Sequence, residues 1–175
     1  LGIRKPDYFL NTVGSNVAST IGAILKKTDV VMEQEKPDAL LLLGDTNSCL
    51  CVISAKKRRI PIFHMEAGNR SFDERVPEEI NRRIIDHISD INLPYTDHAR
   101  RYLLAEGLKP QTVIKTGSPM KEILDFHMSK ILKSKILTHL KLNKKGYFLA
   151  SIHREENVDF PKSLSILLKS FEQIV

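Results

Sequence analysis

The chain has 175 residues, 42% hydrophobic and 27% charged, the makeup of a globular protein with room for one ordinary domain and the start of a second. No apolar run approaches the ~18 residues of a membrane span, so a membrane protein is not expected; no basic-apolar-small start is present, which proves little in a chain that opens on Leu1 where an initiator Met would stand. The net charge of +6 suits an anionic partner; the basic clusters form no single stripe and no aromatic residues interleave with them as a single-strand platform requires, so a phosphate-bearing small molecule is favoured over nucleic acid or a membrane surface.

In chain order, Val17, Ile21, Ile24, Leu25 and Met32 recur at helical spacing and predict a helix over Ser15–Glu35, broken by Lys36-Pro37-Asp38. Ala39–Leu43 is a continuous apolar run, the pattern of a strand buried on both faces. Thr46–Lys57 reads as helix and Ile60–Phe63 as a second strand. Pro77–Ile88 is a helix with Pro at its first position and two acids in its first turn. Ile91–Leu93 is a third strand, Asp97–Glu106 a helix stopped by Gly107, Val113–Lys115 a fourth strand and Met120–Leu132 a helix. Tyr147–Ile152 reads as a fifth strand and Ser163–Val175 as a last helix.

Strands separated by helices imply βαβ units, hence an α/β fold with a parallel sheet. Residues 119–142, two Lys- and Leu-rich helical stretches, exceed a normal crossover. They divide an N-terminal Rossmann-like domain over 1–118, lacking its first strand, from the start of a second such domain over 143–175. Cys49 and Cys51 sit two apart on a helix and point to different sides, so neither a zinc site nor a disulfide is expected, and a reduced, cytoplasmic location follows.

Open parallel sheets bind ligands beyond the carboxyl ends of their strands. After the first strand stands Gly44-Asp45-Thr46, where Asp45 could be a helix cap or a functional acid. After the second comes His64-Met65-Glu66-Ala67-Gly68-Asn69-Arg70. His64 alone reads as a satisfied structural residue; Glu66, near a buried strand end, suits general acid or base work. Glu78 and Glu79 both lie in the first turn of the third helix, and spacing does not choose between them; Glu78 and Arg82 could also form a simple i,i+4 pair. After the fifth strand, His153 and Arg154 could hold a diphosphate by charge-assisted hydrogen bonds. No Gly-rich phosphate loop and no metal-ligand spacing is present. The residues alone reach an enzyme acting on a phosphate-bearing substrate and no named reaction.

Leu42-Leu43-Gly44-Asp45-Thr46, Ile60 to Gly68, Pro77-Glu78-Glu79-Ile80-Asn81-Arg82, Thr116-Gly117-Ser118-Pro119 and His153-Arg154-Glu155-Glu156-Asn157 resemble, in order and spacing, the non-hydrolysing UDP-N-acetylglucosamine 2-epimerase family. The form with Asn69-Arg70-Ser71-Phe72-Asp73 and His153-Arg154-Glu155-Glu156 resembles most its capsule and O-antigen branch, which includes enzymes of UDP-N-acetyl-L-fucosamine synthesis. The resemblance implies a two-domain fold like that of the GT-B glycosyltransferases with the active site in the cleft between domains. It also implies UDP elimination to an acetamidoglycal and re-addition with inversion at C2, without nicotinamide or an obligatory metal. By that resemblance Asp45, Glu66 and Glu78 align with the family's catalytic carboxylates, without settling which removes the C2 proton, and His153 with its catalytic or UDP-contacting histidine; Arg70, Arg82 and Arg154 are expected to contact substrate, and the parent enzyme is expected to be a homodimer. Leu1 in place of an initiator Met, a missing Gly-Thr-Arg-Pro-Glu-like loop and a missing Ser-Gly-Gly…Glu-Glu segment lead us to expect a chain cut at both ends and inactive alone. The rival readings are a hydrolysing epimerase, a GT-B glycosyltransferase, and a non-catalytic remnant or binding module.

Overall fold

Asn16 opens α1 (Val17–Glu35) with a reciprocal cap. Its side chain accepts from the Ser19 N–H at 2.8 Å, while the Ser19 hydroxyl accepts from the Asn16 N–H at 3.1 Å. Lys36, in the left-handed conformation, closes the helix by donating to the Met32 carbonyl. The computed structural model describes residues 3–152 and 155–173. Beyond Pro37 come β1 (Leu40–Leu43), a 3-10 turn at Asn47–Cys51, α2 (Val52–Lys57), β2 (Ile62–Met65), α3 (Pro77–Ile88), β3 (Ile91–Leu93) and α4 (Asp97–Ala105).

The strands pair in parallel in the order β1-β2-β3, with Leu40 opposite Ile62 and His64 opposite Asn92. Parallel neighbours need crossovers, and helices supply them. Three expectations change. The second strand runs to Met65 rather than ending at Phe63, because its pairing with Leu43 and Leu93 carries the ladder that far. The fourth strand shrinks to a single bridge between Asn92 and Val113, extended by N–H donation from Ile114 to Asn92 and from Thr116 to Pro94. The segment 147–152 forms no strand. Phe148 and Leu149 are exposed there, and extended residues without a neighbouring ladder are not held as a strand.

β1 also differs in burial. Leu42 faces the core, but Leu41 and Leu43 are more than half exposed, so one face of this edge strand is open rather than buried. The region expected as one helix over 46–57 begins as the 3-10 turn and becomes α-helical at Val52.

Ile24 and Met32 of α1 meet Val52 and Ala55 of α2, Ile62 of β2 and Ile85 of α3 in the main core. Cys49 and Cys51 belong to that core as free thiols. Burial pushes the Cys51 thiol up to about 11 and also raises Cys49, so both pack as inert apolar groups at neutral pH. A smaller cluster of Ala67, Leu103 and Val113 seats α4 beside the end of β2.

The chain divides into two compact units, one ending at Glu122 and the other beginning at Ile123. The division falls inside α5 (Met120–Leu132). The second unit carries α6 (Ile136–His139), α7 (Glu155–Val158) and α8 (Pro161–Glu172). α5, α6 and α8 bury no residue fully. No helix among the described residues is long and apolar enough to cross a membrane.

Ile62, fully buried between β1 and β3, is the sharpest test of this core. Ile62→Ala should cost about 2–5 kcal/mol in urea unfolding, whereas Leu41→Ala on the open face should change it by less than ~1 kcal/mol. Equal losses at the two positions would contradict this packing.

Candidate active site

β1 and β2 deliver two carboxylates to one end of the sheet. Gly44 turns the chain after β1 with φ +80°, a conformation open to glycine, and its N–H donates to Met65 O at 3.2 Å. Asp45 follows. It does not cap the next helical turn, whose N-cap is Thr46. Its Oδ2 instead accepts from Arg82 Nη2 at 2.5 Å.

Glu66 comes directly after β2 and is held at φ 64°. A non-glycine residue in that region costs about 1–3 kcal/mol, strain of the kind that gathers where a side chain must be aimed. The strained backbone is secured on both sides: Glu66 N–H donates to Leu93 O at 3.2 Å, and Arg82 Nη1 donates to Glu66 O. The carboxylate is not unpartnered. Asn69 Nδ2 donates to Glu66 Oε1 at 3.3 Å, and Arg82 Nη2 stands 3.7 Å from the same oxygen. A Cβ at Gly44 would lie 3.9 Å from Glu66 Oε2, so the two strand-end loops are in contact range.

Arg82 therefore joins Asp45 to Glu66, and only 9% of its side chain is exposed. It projects from α3, whose buried polar residues Glu79, Arg82 and Asp86 recur at i, i+3 and i+7 on one face. Asn81 adds a bond from its amide to Asn47 Oδ1 at 2.9 Å, tying α3 to the turn after β1.

The two acids of the first turn of α3 have opposite fates. Glu79 is buried and accepts from Ser71 N–H at 2.7 Å, from the Ser71 hydroxyl at 3.1 Å and from Arg83 at 3.0 Å. Burial alone would raise its pKa, but the Ser71 and Arg83 donors outweigh it and hold the carboxyl below the ordinary range. Glu78 is exposed and makes no ion pair or hydrogen bond with the described residues. Glu79 is thus committed to structure, while Glu78 is open to a ligand.

Arg70 is engaged within the chain. Its side chain is fully buried, with Nη1 on Asp86 Oδ2 at 2.7 Å and Nε and Nη2 on the two oxygens of Glu106 at 2.7 and 2.6 Å. It pins the loop after β2 to α3 and α4. His153 and Arg154 lie outside the described residues.

Sequence inspection of strand ends passed over Tyr95, two residues beyond β3. Burial pushes its phenol up, the nearby Glu66 carboxylate raises it further, and Arg82 opposes both. The rule that exposed Asp45 and Glu66, inspection of the residues just past each strand, also reaches Tyr95. Tyr95 and Lys115 line an open polar groove with Arg100 and Arg101.

The family profile described as UDP-N-acetylglucosamine 2-epimerase matches residues 1–175. Among curated proteins, a UDP-N-acetylglucosamine 2-epimerase homolog of Methanococcus maripaludis is 39% identical over 98% of this chain and 48% of its own length. A UDP-2,3-diacetamido-2,3-dideoxy-D-glucuronate 2-epimerase of Pseudomonas aeruginosa is 37% identical over 99% of this chain and 49% of its own. The solved UDP-N-acetylglucosamine 2-epimerase of Rickettsia bellii superposes with a TM-score of 0.87 at 60% identity, covering 98% of this chain and 47% of that one. The Methanocaldococcus jannaschii UDP-GlcNAc 2-epimerase in complex with UDP-GlcNAc and UDP also gives 0.87, at 31% identity over 98% of this chain and 48% of that one. The chain spans about half the length of the curated relatives it matches.

The loop around Arg70 supplies a pH test. Glu106 is held below the ordinary glutamate value of 4.5, first by the Arg70 donors and then by His87. Its contribution is complete above that value and is lost as pH falls through the depressed folded value. The urea midpoint should fall as the solution is acidified below about pH 4.5, and Glu106→Gln should flatten that fall. An unchanged pH slope in the variant would show that Glu106 carries no such linkage.

Proposed function

Because the chain belongs to the UDP-N-acetylglucosamine 2-epimerase family, we propose that it supplies the carboxylates of a UDP-N-acetylhexosamine 2-epimerase of the non-hydrolysing kind. The observation that supports this reading most is Arg82 holding Asp45 and Glu66 together at adjacent strand ends, with Glu78 left open on α3.

The reaction breaks and remakes the same bonds. A base takes the C2 proton, the C1–O bond to UDP breaks with its electron pair leaving on the diphosphate, and an acetamidoglycal remains. UDP then re-adds at C1 while a proton reaches C2 from the other face. Inversion needs proton-transfer groups on both faces, hence more than one carboxylate. Asp45, Glu66 and Glu78 provide three. The departing diphosphate gains negative charge and needs cationic support. His153 and Arg154 are assigned to it by their motif, with Arg82 beside the carboxylates. Arg70, engaged by Asp86 and Glu106, is left out of the substrate contacts.

In this reading the complete enzyme is a cytoplasmic homodimer of GT-B-like architecture. Residues 1–118 form its first Rossmann-like domain, 119–142 a linker and 143–175 the start of the second. Its product is a precursor of cell-surface polysaccharide in the capsule and O-antigen branch. The solved relative in complex with UDP-GlcNAc and UDP supports the nucleotide-sugar substrate class.

A protein of the relatives' full length carrying this chain should place solvent deuterium at C2 when UDP-GlcNAc is incubated in D2O. It should also scramble an 18O label from the C1–O bridge into the diphosphate. Free N-acetylmannosamine with no re-formed UDP-sugar would instead establish the hydrolysing reaction, and the absence of C2 exchange would overturn both. Glu78→Gln in that protein should lower kcat roughly 10²–10⁴-fold without loss of stability. The isolated 175-residue chain should show no turnover in a coupled epimerase assay.

A further inference from the structure

His64 is fully buried in the middle of the sheet, between the two carboxylate-bearing loops, and the proposed reaction does not use it. Its Nε2 lies 2.8 Å from the carbonyl oxygen of Gly44, the residue before Asp45. Its Nδ1 lies 2.8 Å from Asp86 Oδ1. A carbonyl oxygen only accepts, so Nε2 carries a hydrogen. The carboxylate of Asp86 already accepts from Arg70 Nη1 at 2.7 Å and from the Gly68 N–H at 3.1 Å, so it too is an acceptor toward the ring. Both ring nitrogens therefore donate.

We propose that His64 is a positioning residue, a doubly donating imidazole that fixes the Gly44-Asp45 loop against the Glu66–Arg70 loop. The proposal rests on the reading of Asp45 and Glu66 as the catalytic carboxylates. One ring edge holds the backbone immediately before Asp45. The other reaches Asp86, which holds the Gly68 N–H two residues beyond Glu66. The surroundings are rich in acceptors: the ring and Arg70 face two carboxylates, Asp86 and Glu106, with the exposed His87 at the outer edge on Glu106. Buried charges persist when they are paired and hydrogen-bonded in this way. Gly68 completes the seat, since a Cβ there would fall 2.5 Å from Ala99 O and 2.8 Å from Leu103 Cγ, so the loop lies hard against α4. Arg82 clamps the two loops from the α3 side, and His64 clamps them from within the sheet.

The test reads the intact 175-residue chain by NMR and needs no turnover, so its outcome is separate from that of the isotope-exchange assay. With 15N-labelled histidine, His64 should show both ring nitrogens in the protonated range at neutral pH; one bare nitrogen would overturn the proposal. With 13C-labelled carboxyl groups, His64→Gln should move the Asp45 and Glu66 resonances. Asp90, bonded to Lys56 and to the Ile62 N–H at the other end of the strands, should stay in place. A folded variant in which Asp45 and Glu66 do not move would show that His64 only fills space. Should His64→Gln fail to fold, Asp86→Asn is read in the same way, and the wild-type nitrogen spectrum still decides the donor pattern.

Discussion

Arg82 leaves the middle of α3 and ends, almost dry, between the loops that follow β1 and β2. From there it donates to the Asp45 carboxylate and to the backbone oxygen of Glu66, and stands beside the Glu66 carboxylate. Two carboxylates brought this close repel each other, and a guanidinium with donors in a fixed fork suits the role of holding both. Its reach depends on α3 lying where Ile85, on the same helix, is fully buried in the main core. The apolar packing and the polar site thus share one helix.

The price of that arrangement is a stripe of ionisable groups facing inward. Glu79, Arg82 and Asp86 are all buried on α3, and each is fully engaged: Glu79 by Ser71 and Arg83, Arg82 by the two strand-end loops, Asp86 by His64, Gly68 and Arg70. An unpaired member would carry an uncompensated desolvation penalty, so the stripe works as a set. Four of its partners, Glu66, Gly68, Arg70 and Ser71, lie in the loop 66–71, and they tie down the segment that holds Glu66 at a positive φ. Glu78, one residue away from Glu79, escapes the set because helical geometry turns it outward.

The order of helices and strands was legible because each segment carries its period and punctuation. Pro77 with two acids marks the start of α3, and the structure begins it there; α5 runs over the expected Met120–Leu132. What failed were segments whose state depends on a neighbour. Residues 147–152 read as a strand by composition, yet a strand needs a ladder partner and gains none here. The continuous leucine run of β1 read as buried on both faces, but at the edge of the described sheet Leu41 and Leu43 face outward. The candidate site was legible as a location, since Asp45, Glu66 and Glu78 all fall just past a strand or at the start of a helix.

The sequence by itself determined the family, the alternation of helices with parallel strands, and the positions of the carboxylates, because motif spacing and hydrophobic period are local properties of the chain. Only the tertiary structure decided which charged groups are available and which are committed. It assigned Glu79 and Arg70 to the interior, left Glu78 open, made Arg82 the link between Asp45 and Glu66, and drew His64 and Asp86 into the frame beneath them. The reason is physical: whether a side chain meets solvent or a buried partner depends largely on contacts between distant residues, such as the 16 positions from Arg70 to Asp86 and the 37 from Asp45 to Arg82, and no local pattern encodes them.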